Sequence, residues 1–174
     1  FWQKTNEFTN PSTFNVFSPG IVNNRGLFAH VPWSNGHIYF DTTGNQRVNA
    51  HGGIAINQWH HFVFQKDGAT KTVWKDGLEV VTGGGQLALP TDITHLNIGV
   101  ANVVADIDEF AVFNGPLTQA QVTLLSNGIS PWHLIGGDSD GDGLNDIVIG
   151  GHCGCSNNDK FWHGGKAVGV QKVL

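Results

Sequence analysis

The chain has 174 residues, 24 of them glycine, 40% hydrophobic content and a formal net charge of −5. That length predicts one domain, or one with a small appendage, able to bury roughly 70% of its unfolded surface. The acidic balance argues against nucleic acid as a partner. No run approaches the roughly 18 apolar residues of a membrane-spanning helix, and many glycines with few Lys, Glu and Ala argue for a turn-rich all-β fold.

The chain starts at Phe1 and contains no methionine, so a processed chain or fragment is expected, its secretion signal already removed. After an opening Phe1-Trp2-Gln3-Lys4 strand, strands are expected at Gly26–Val31, His37–Asp41 and Arg47–Ala50. Pro32-Trp33-Ser34-Asn35-Gly36 forms the connection within this group, with Asn-Gly as its turn signal. From Asn57 to Thr82, Phe62 and Phe64 alternate with Val63 and Gln65, and Val73 lies between Thr72 and Trp74. Asp67-Gly68 and Asp76-Gly77 supply two hairpin turns, giving a three-strand meander at 59–66, 71–75 and 78–82. Such a meander needs a second sheet against its apolar face. Trp59, which opens this meander, is expected to face the core, and both Trp59 and Trp74 are expected to have structural roles.

Further strands are expected at Leu96–Gly99 and Ile107–Asn114. Residues 115–128 predict the single helix. Thr118 is its N-cap, Gln121 completes a capping box, Leu117 and Val122 are suited to a hydrophobic staple, and Gly128 is the stop. Past Pro131 the periodicity disappears until Lys166–Leu174, which alternates as a final strand.

Three stretches resemble a known family. They are Trp59-His60-His61-Phe62-Val63 followed by Lys75-Asp76-Gly77; the run from His30 to Asp41 with its Pro32-Trp33 and Asn35-Gly36; and Asp106 to Gly128. Over residues 1–128 the chain is similar to the laminin-G-like, concanavalin A-like lectin/glucanase superfamily. The resemblance implies an antiparallel jelly-roll β-sandwich at residues 1–130 with one short helix, followed by a C-terminal extension at 131–174, and an extracellular or cell-surface location. It also implies that one or two strands normally precede the Phe1-Trp2 strand, leaving a sheet edge unpaired here.

Four constellations bear on chemistry. Asp138, Asp140, Asp142 and Asp146 stand at loop positions 1, 3, 5 and 9, with Gly143 at the turn and the Leu144 carbonyl as a backbone ligand. This spacing suits calcium. Ile149 stands where an EF-hand has Glu, and the loop resembles those of integrin-type FG-GAP repeats instead. Asp106 and Asp108 would share one strand face with Glu109 opposite, but the Glu pair of a laminarinase-type glucanase is absent, so no catalytic residue is expected. Trp33, His37, Tyr39, Asp41 and Arg47 form the candidate ligand surface, aromatic rings for sugar C–H faces and polar groups for hydroxyls. The competing expectation is that Trp33 caps the core and Arg47 pairs with Asp41. Cys153 and Cys155, with His152 and His163, lack the usual zinc spacing.

The function expected is therefore that of a calcium-stabilised, non-catalytic recognition or adhesion module for a glycan or an extracellular protein. The alternatives are a structural subunit linked by strand pairing and, more remotely, a degenerate glycosidase. The tail at 166–174 is expected to pair with a sheet edge through the region of Val168 and Val170. In the cross-chain form, that pairing would propagate as a filament.

Overall fold

The structure, a computed structural model, describes residues 1–20, 25–42, 46–84 and 87–131, and the backbone at 160–163 and 166–169. It divides into two units, Phe1–Asn127 and Gly128–Leu174.

The first unit is the expected antiparallel β-sandwich. One sheet contains β1 (Trp2–Thr5), β6 (Trp59–Asp67), β7 (Thr70–Lys75), β8 (Leu78–Gly83) and β10 (Ala105–Asp108), in the order β10-β1-β6-β7-β8. The other contains β2 (Ser12–Phe17), β3 (Arg25–His30), β4 (His37–Thr42), β5 (Gln46–His51) and β9 (His95–Val100), in the order β5-β4-β3-β2-β9. The two inner faces enclose Val31, Ile38, Phe40, Val48, Phe62 and Val73. Phe1 stacks against Phe64 and Phe110, with ring centroids 6.0 and 5.3 Å away. Apolar burial of this kind is the main stabilising term.

Two polar side chains cross between the sheets. Gln3 of β1 donates from Nε2 to the Val31 carbonyl at 2.6 Å. Lys71 of β7 is fully buried and donates to the carbonyls of Phe40 at 3.0 Å and Gln46 at 2.8 Å. Burial pushes the Lys71 ammonium down to about 8.

The meander follows its turn chemistry. Lys75 pairs with Leu78 around Asp76-Gly77, whose φ angles of 50° and 81° are both positive, as a two-residue primed turn requires. In the preceding hairpin Asp67 itself pairs with Thr70, so the turn is Gly68-Ala69 with Gly68 at φ 50°.

The helix α1 (Gln119–Ser126) has both halves of the capping box at Thr118 and Gln121, and Gly128 follows it at φ 81°. It packs beside β6 on that sheet's outward face. Val122 and Leu125 are buried, the Leu117 N–H donates to Gln65 Oε1 at 3.0 Å, and Gln119 donates to the Gly77 carbonyl at 2.8 Å.

Two expectations fail here. Trp59 is 44% exposed and lies outside the core, with the Lys4 ammonium 5.5 Å from its ring centroid. The reason is parity: Phe62 and Phe64 point inward, so a period of two puts residue 59 outward. The buried member of the Trp59-His60-His61 run is His61, which lies 5.2 Å from the Trp2 ring and is pushed down to about 4 by burial. The expected strand Ile107–Asn114 stops at Asp108, because Glu109 turns to φ 47° and its N–H is accepted by Asp108 Oδ1 at 2.8 Å. Glu109 therefore does not occupy the opposite face of a continuing strand.

In the second unit, β11 (Lys160–His163) and β12 (Lys166–Gly169) form an antiparallel hairpin. Lys166–Gly169 of the tail thus pairs with the neighbouring segment of its own chain. Residue 170 lies outside the described residues.

Candidate functional site

Residues at alternate positions of β4 point away from the core, and the register sets their neighbours. His37 lies opposite His51, Tyr39 opposite Asn49 and Asp41 opposite Arg47 on β5. On the other side of β4, Tyr39 lies opposite His30 and Asp41 opposite Phe28 on β3. All five residues expected at the ligand surface therefore gather at one end of one sheet face, with Trp33 contributed by the turn between β3 and β4.

That turn is tightly built. The Trp33 N–H donates to the His37 carbonyl and the Gly36 N–H to the Trp33 carbonyl, both at 2.8 Å. Gly36 has φ 78°, the left-handed region that favours glycine, and a Cβ there would sit close against His51 Nε2 at 3.0 Å. Asn35 accepts from the His37 N–H at 3.0 Å and donates to the Tyr39 hydroxyl at 2.8 Å. These contacts fix Trp33 with its ring 4.9 Å from His30 and 6.1 Å from Tyr39, in edge-on geometry. His37 lies beside Tyr39 at 5.9 Å and meets His51 at 5.6 Å. The side-chain oxygen Oδ1 of Asn49 lies 3.2 Å from His37 Nδ1.

Asp41 anchors the cluster from beneath. It is 1% exposed and accepts from Arg47 Nε at 2.5 Å and Nη2 at 2.6 Å, while His30 Nε2 lies 3.4 Å away. Burial alone would raise the Asp41 carboxyl; the hydrogen bonds from Arg47 and His30 outweigh it and hold the group at about 2. The His30 Nδ1 is taken by the Pro11 carbonyl at 2.5 Å. Arg47, held flat by this fork, lies 4.6 Å over the Tyr39 ring. Asp41 and Arg47 do pair, and Asp41 faces Arg47 and not solvent. The exposed groups are Arg47, Asn35, Asn49 and His51, with Trp33, His37 and Tyr39 half-buried among them. His30 and Asn35 stood out in the sequence only as parts of the family-like run and its turn, and Asn49 and His51 not at all. Their signal was the alternation along each strand, but only the register brings them beside β4.

On the other sheet, Asp106 and Asp108 share the exposed face of β10, and Lys4 pairs with Asp106 at 2.6 Å. Among the described residues no three His, Cys, Asp or Glu side chains gather as a metal site. Asp138, Asp140, Asp142, Leu144 and Asp146 lie outside the described residues, as do His152, Cys153 and Cys155.

The family model for the concanavalin A-like lectin/glucanases superfamily matches residues 1–123. The chain belongs to this superfamily. Among solved structures it is similar to the Trypanosoma rangeli sialidase, with 17% identity and a TM-score of 0.53 over 75% of this chain and 22% of that one. The same sialidase in complex with 2,3-difluorosialic acid as a covalent intermediate gives 14% identity and a TM-score of 0.55, over 75% and 23% of the two chains. At these identities the likeness concerns the fold, and this superfamily member spans under a quarter of the sialidase's length. No curated protein matches the sequence.

Proposed function

We propose that this chain is a non-catalytic recognition module that binds a glycan on the outward face of the β5-β4-β3 end of its sheet. The observation that carries this is the clustering of Trp33, His37 and Tyr39 with the amides of Asn35 and Asn49 on strands locked by the Asp41–Arg47 pair. Aromatic rings cover sugar C–H faces, planar amides exchange hydrogen bonds with hydroxyls, and a rigid frame lowers the ordering cost of binding. Superfamily membership is in keeping with this, though a fold alone does not fix a function.

The non-catalytic part of the proposal rests on the carboxylates. A retaining glycosidase needs two about 5–5.5 Å apart. On this face Asp41 is occupied by Arg47 and His30, and Asp106 and Asp108 belong to the other sheet. An extracellular setting and calcium at the 138–146 loop complete the proposal, the latter on the carboxylate spacing.

A glycan array with the full chain tests the proposal. Binding to a defined glycan, lost in Trp33→Ala and His37→Ala with unchanged thermal midpoints, is the expected result. A blank array together with binding to an extracellular protein through the same residues would replace the glycan by a protein ligand. Binding that both substitutions leave intact would place the site elsewhere.

A further inference from the structure

Building on the glycan reading, we infer that the preferred ligand is an acidic glycan, one bearing a carboxylate or sulfate group, and that Arg47 receives that group. Three observations lead there.

The first is the free edge of the guanidinium. Nε and Nη2 of Arg47 are taken up by Asp41, whereas Nη1 has no hydrogen-bond partner among the described residues, and the side chain is 43% exposed. A guanidinium presents its donors as a planar fork that matches two oxygens of one anion. Stacking on Tyr39 at 4.6 Å and the bond pair to Asp41 hold that fork in a fixed orientation, so little ordering remains to be done when the ligand arrives.

The second is the distribution of carboxylates. At outward strand positions of this sheet Asp41 stands alone among the described residues, and it is sealed beneath Arg47. The strand carboxylates Asp67, Glu79, Asp106 and Asp108 all belong to the other sheet. In a chain with a net charge of −5, this face is the one from which exposed strand carboxylates are missing.

The third is the polar, carboxylate-free rim along the same face as Arg47. The Asn49 side chain lies two residues along β5, and the amide of Asn35 and the imidazoles of His37 and His51 complete the rim. Asp41 offsets much of the Arg47 charge, so the selectivity comes from directed hydrogen bonds to the anion more than from long-range attraction. Charge-assisted hydrogen bonds of this sort correspond to roughly a tenfold or greater preference.

The test uses matched pairs that differ only in the anionic group: polygalacturonate against its methyl ester for the carboxylate, and dextran sulfate against dextran for the sulfate. Binding of the full chain is measured by titration calorimetry at low and high salt. The expected result is that the charged member of at least one pair binds about tenfold or more tightly than its neutral partner, and which pair does so identifies the anion. Asn49→Asp keeps the oxygen that faces His37 and leaves Asp41–Arg47 untouched, yet puts a carboxylate beside Arg47. It should abolish the preference while the thermal midpoint stays within a few degrees. Arg47→Lys, which keeps the charge but loses the fork, should lower the ratio of charged to neutral binding. Equal binding of charged and neutral partners, or a preference that Asn49→Asp leaves intact, overturns the acidic-glycan inference and leaves the glycan reading standing. No binding by any of the four, together with a blank glycan array, overturns both.

Discussion

Asp41 gives a handle on the acid stability of the sandwich that can be separated from every other carboxylate. Its carboxyl is held at about 2 against an ordinary 3.8, a difference of 3.8 − 2 = 1.8. At ~1.4 kcal/mol per pH unit, that corresponds to about 2 kcal/mol of folding stability. Because the folded-state value is depressed, the contribution is fully present above about pH 3.8 and disappears as pH falls through about 2. Asp76 and Asp92 are also held low, Asp76 by Lys75, the His61 N–H and His60 against its burial, and Asp92 by Ser18 and the Gly20 N–H. Acid therefore weakens the protein through several groups at once, and only a difference measurement isolates one of them. Asp41→Asn keeps the shape but cannot ionise. Urea unfolding of both chains at a series of pH values gives that difference, urea being uncharged and leaving the ion pair unscreened. The wild-type advantage should shrink by about 2 kcal/mol between pH 5 and pH 2. Parallel stability curves for the two chains over that interval would refute the role given to the Asp41–Arg47 pair.

Four further outcomes follow from the same geometry. Phe62→Ala should cost about 3–5 kcal/mol by denaturant unfolding, and Trp59→Ala clearly less, since Phe62 is 1% and Trp59 44% exposed. Gly77→Ala should destabilise more than Gly68→Ala: both have positive φ, but a Cβ at Gly77 would lie 2.6 Å from Ser126 Oγ, whereas at Gly68 the space is open, and Ser126→Ala should recover part of the loss. Titration calorimetry should detect calcium binding that Asp140→Asn and Asp142→Asn weaken; absence of calcium heat would remove the metal from the proposal. Reducing-sugar assays on laminarin and related glucans should show no release, and activity that disappears in Asp108→Asn would make the chain an enzyme.

The sandwich was legible because its determinants are local. Alternation in Phe62-Val63-Phe64, the positive φ demanded at Asp76-Gly77 and the reciprocal caps of Thr118 and Gln121 each act within a few residues. What failed was also local but subtler. The parity that puts Trp59 outward was present in the same run as Phe62, and it was overridden by the bulk of an indole. The end of β10 depends on one left-handed residue, Glu109, a conformation that its side chain does not advertise. At the candidate site, Asp41 and Arg47 could be paired from the hairpin alone. The meeting of His30, Asn49 and His51 with Tyr39 could not, since it depends on which strands become neighbours and in what register.

Lys71 carries a consequence for how the protein can be followed in solution. Its amine is sealed between the two sheets and bonded to two carbonyls, whereas Lys4, Lys66 and Lys75 are partly accessible at the surface of the same unit. An acylating reagent can reach the first only when the layers part. Burial holds that amine at about 8 only while the layers are closed; once they part it is an ordinary lysine amine like its neighbours, so intrinsic reactivity divides out against theirs at any one pH. Access alone then sets the rate. The labelling of this one residue, read by peptide mass against its three fast neighbours as internal standards, is a clock for the opening of the sandwich. A ligand that clamps β4 and β5 should slow it, in proportion to occupancy, without touching the residue being read.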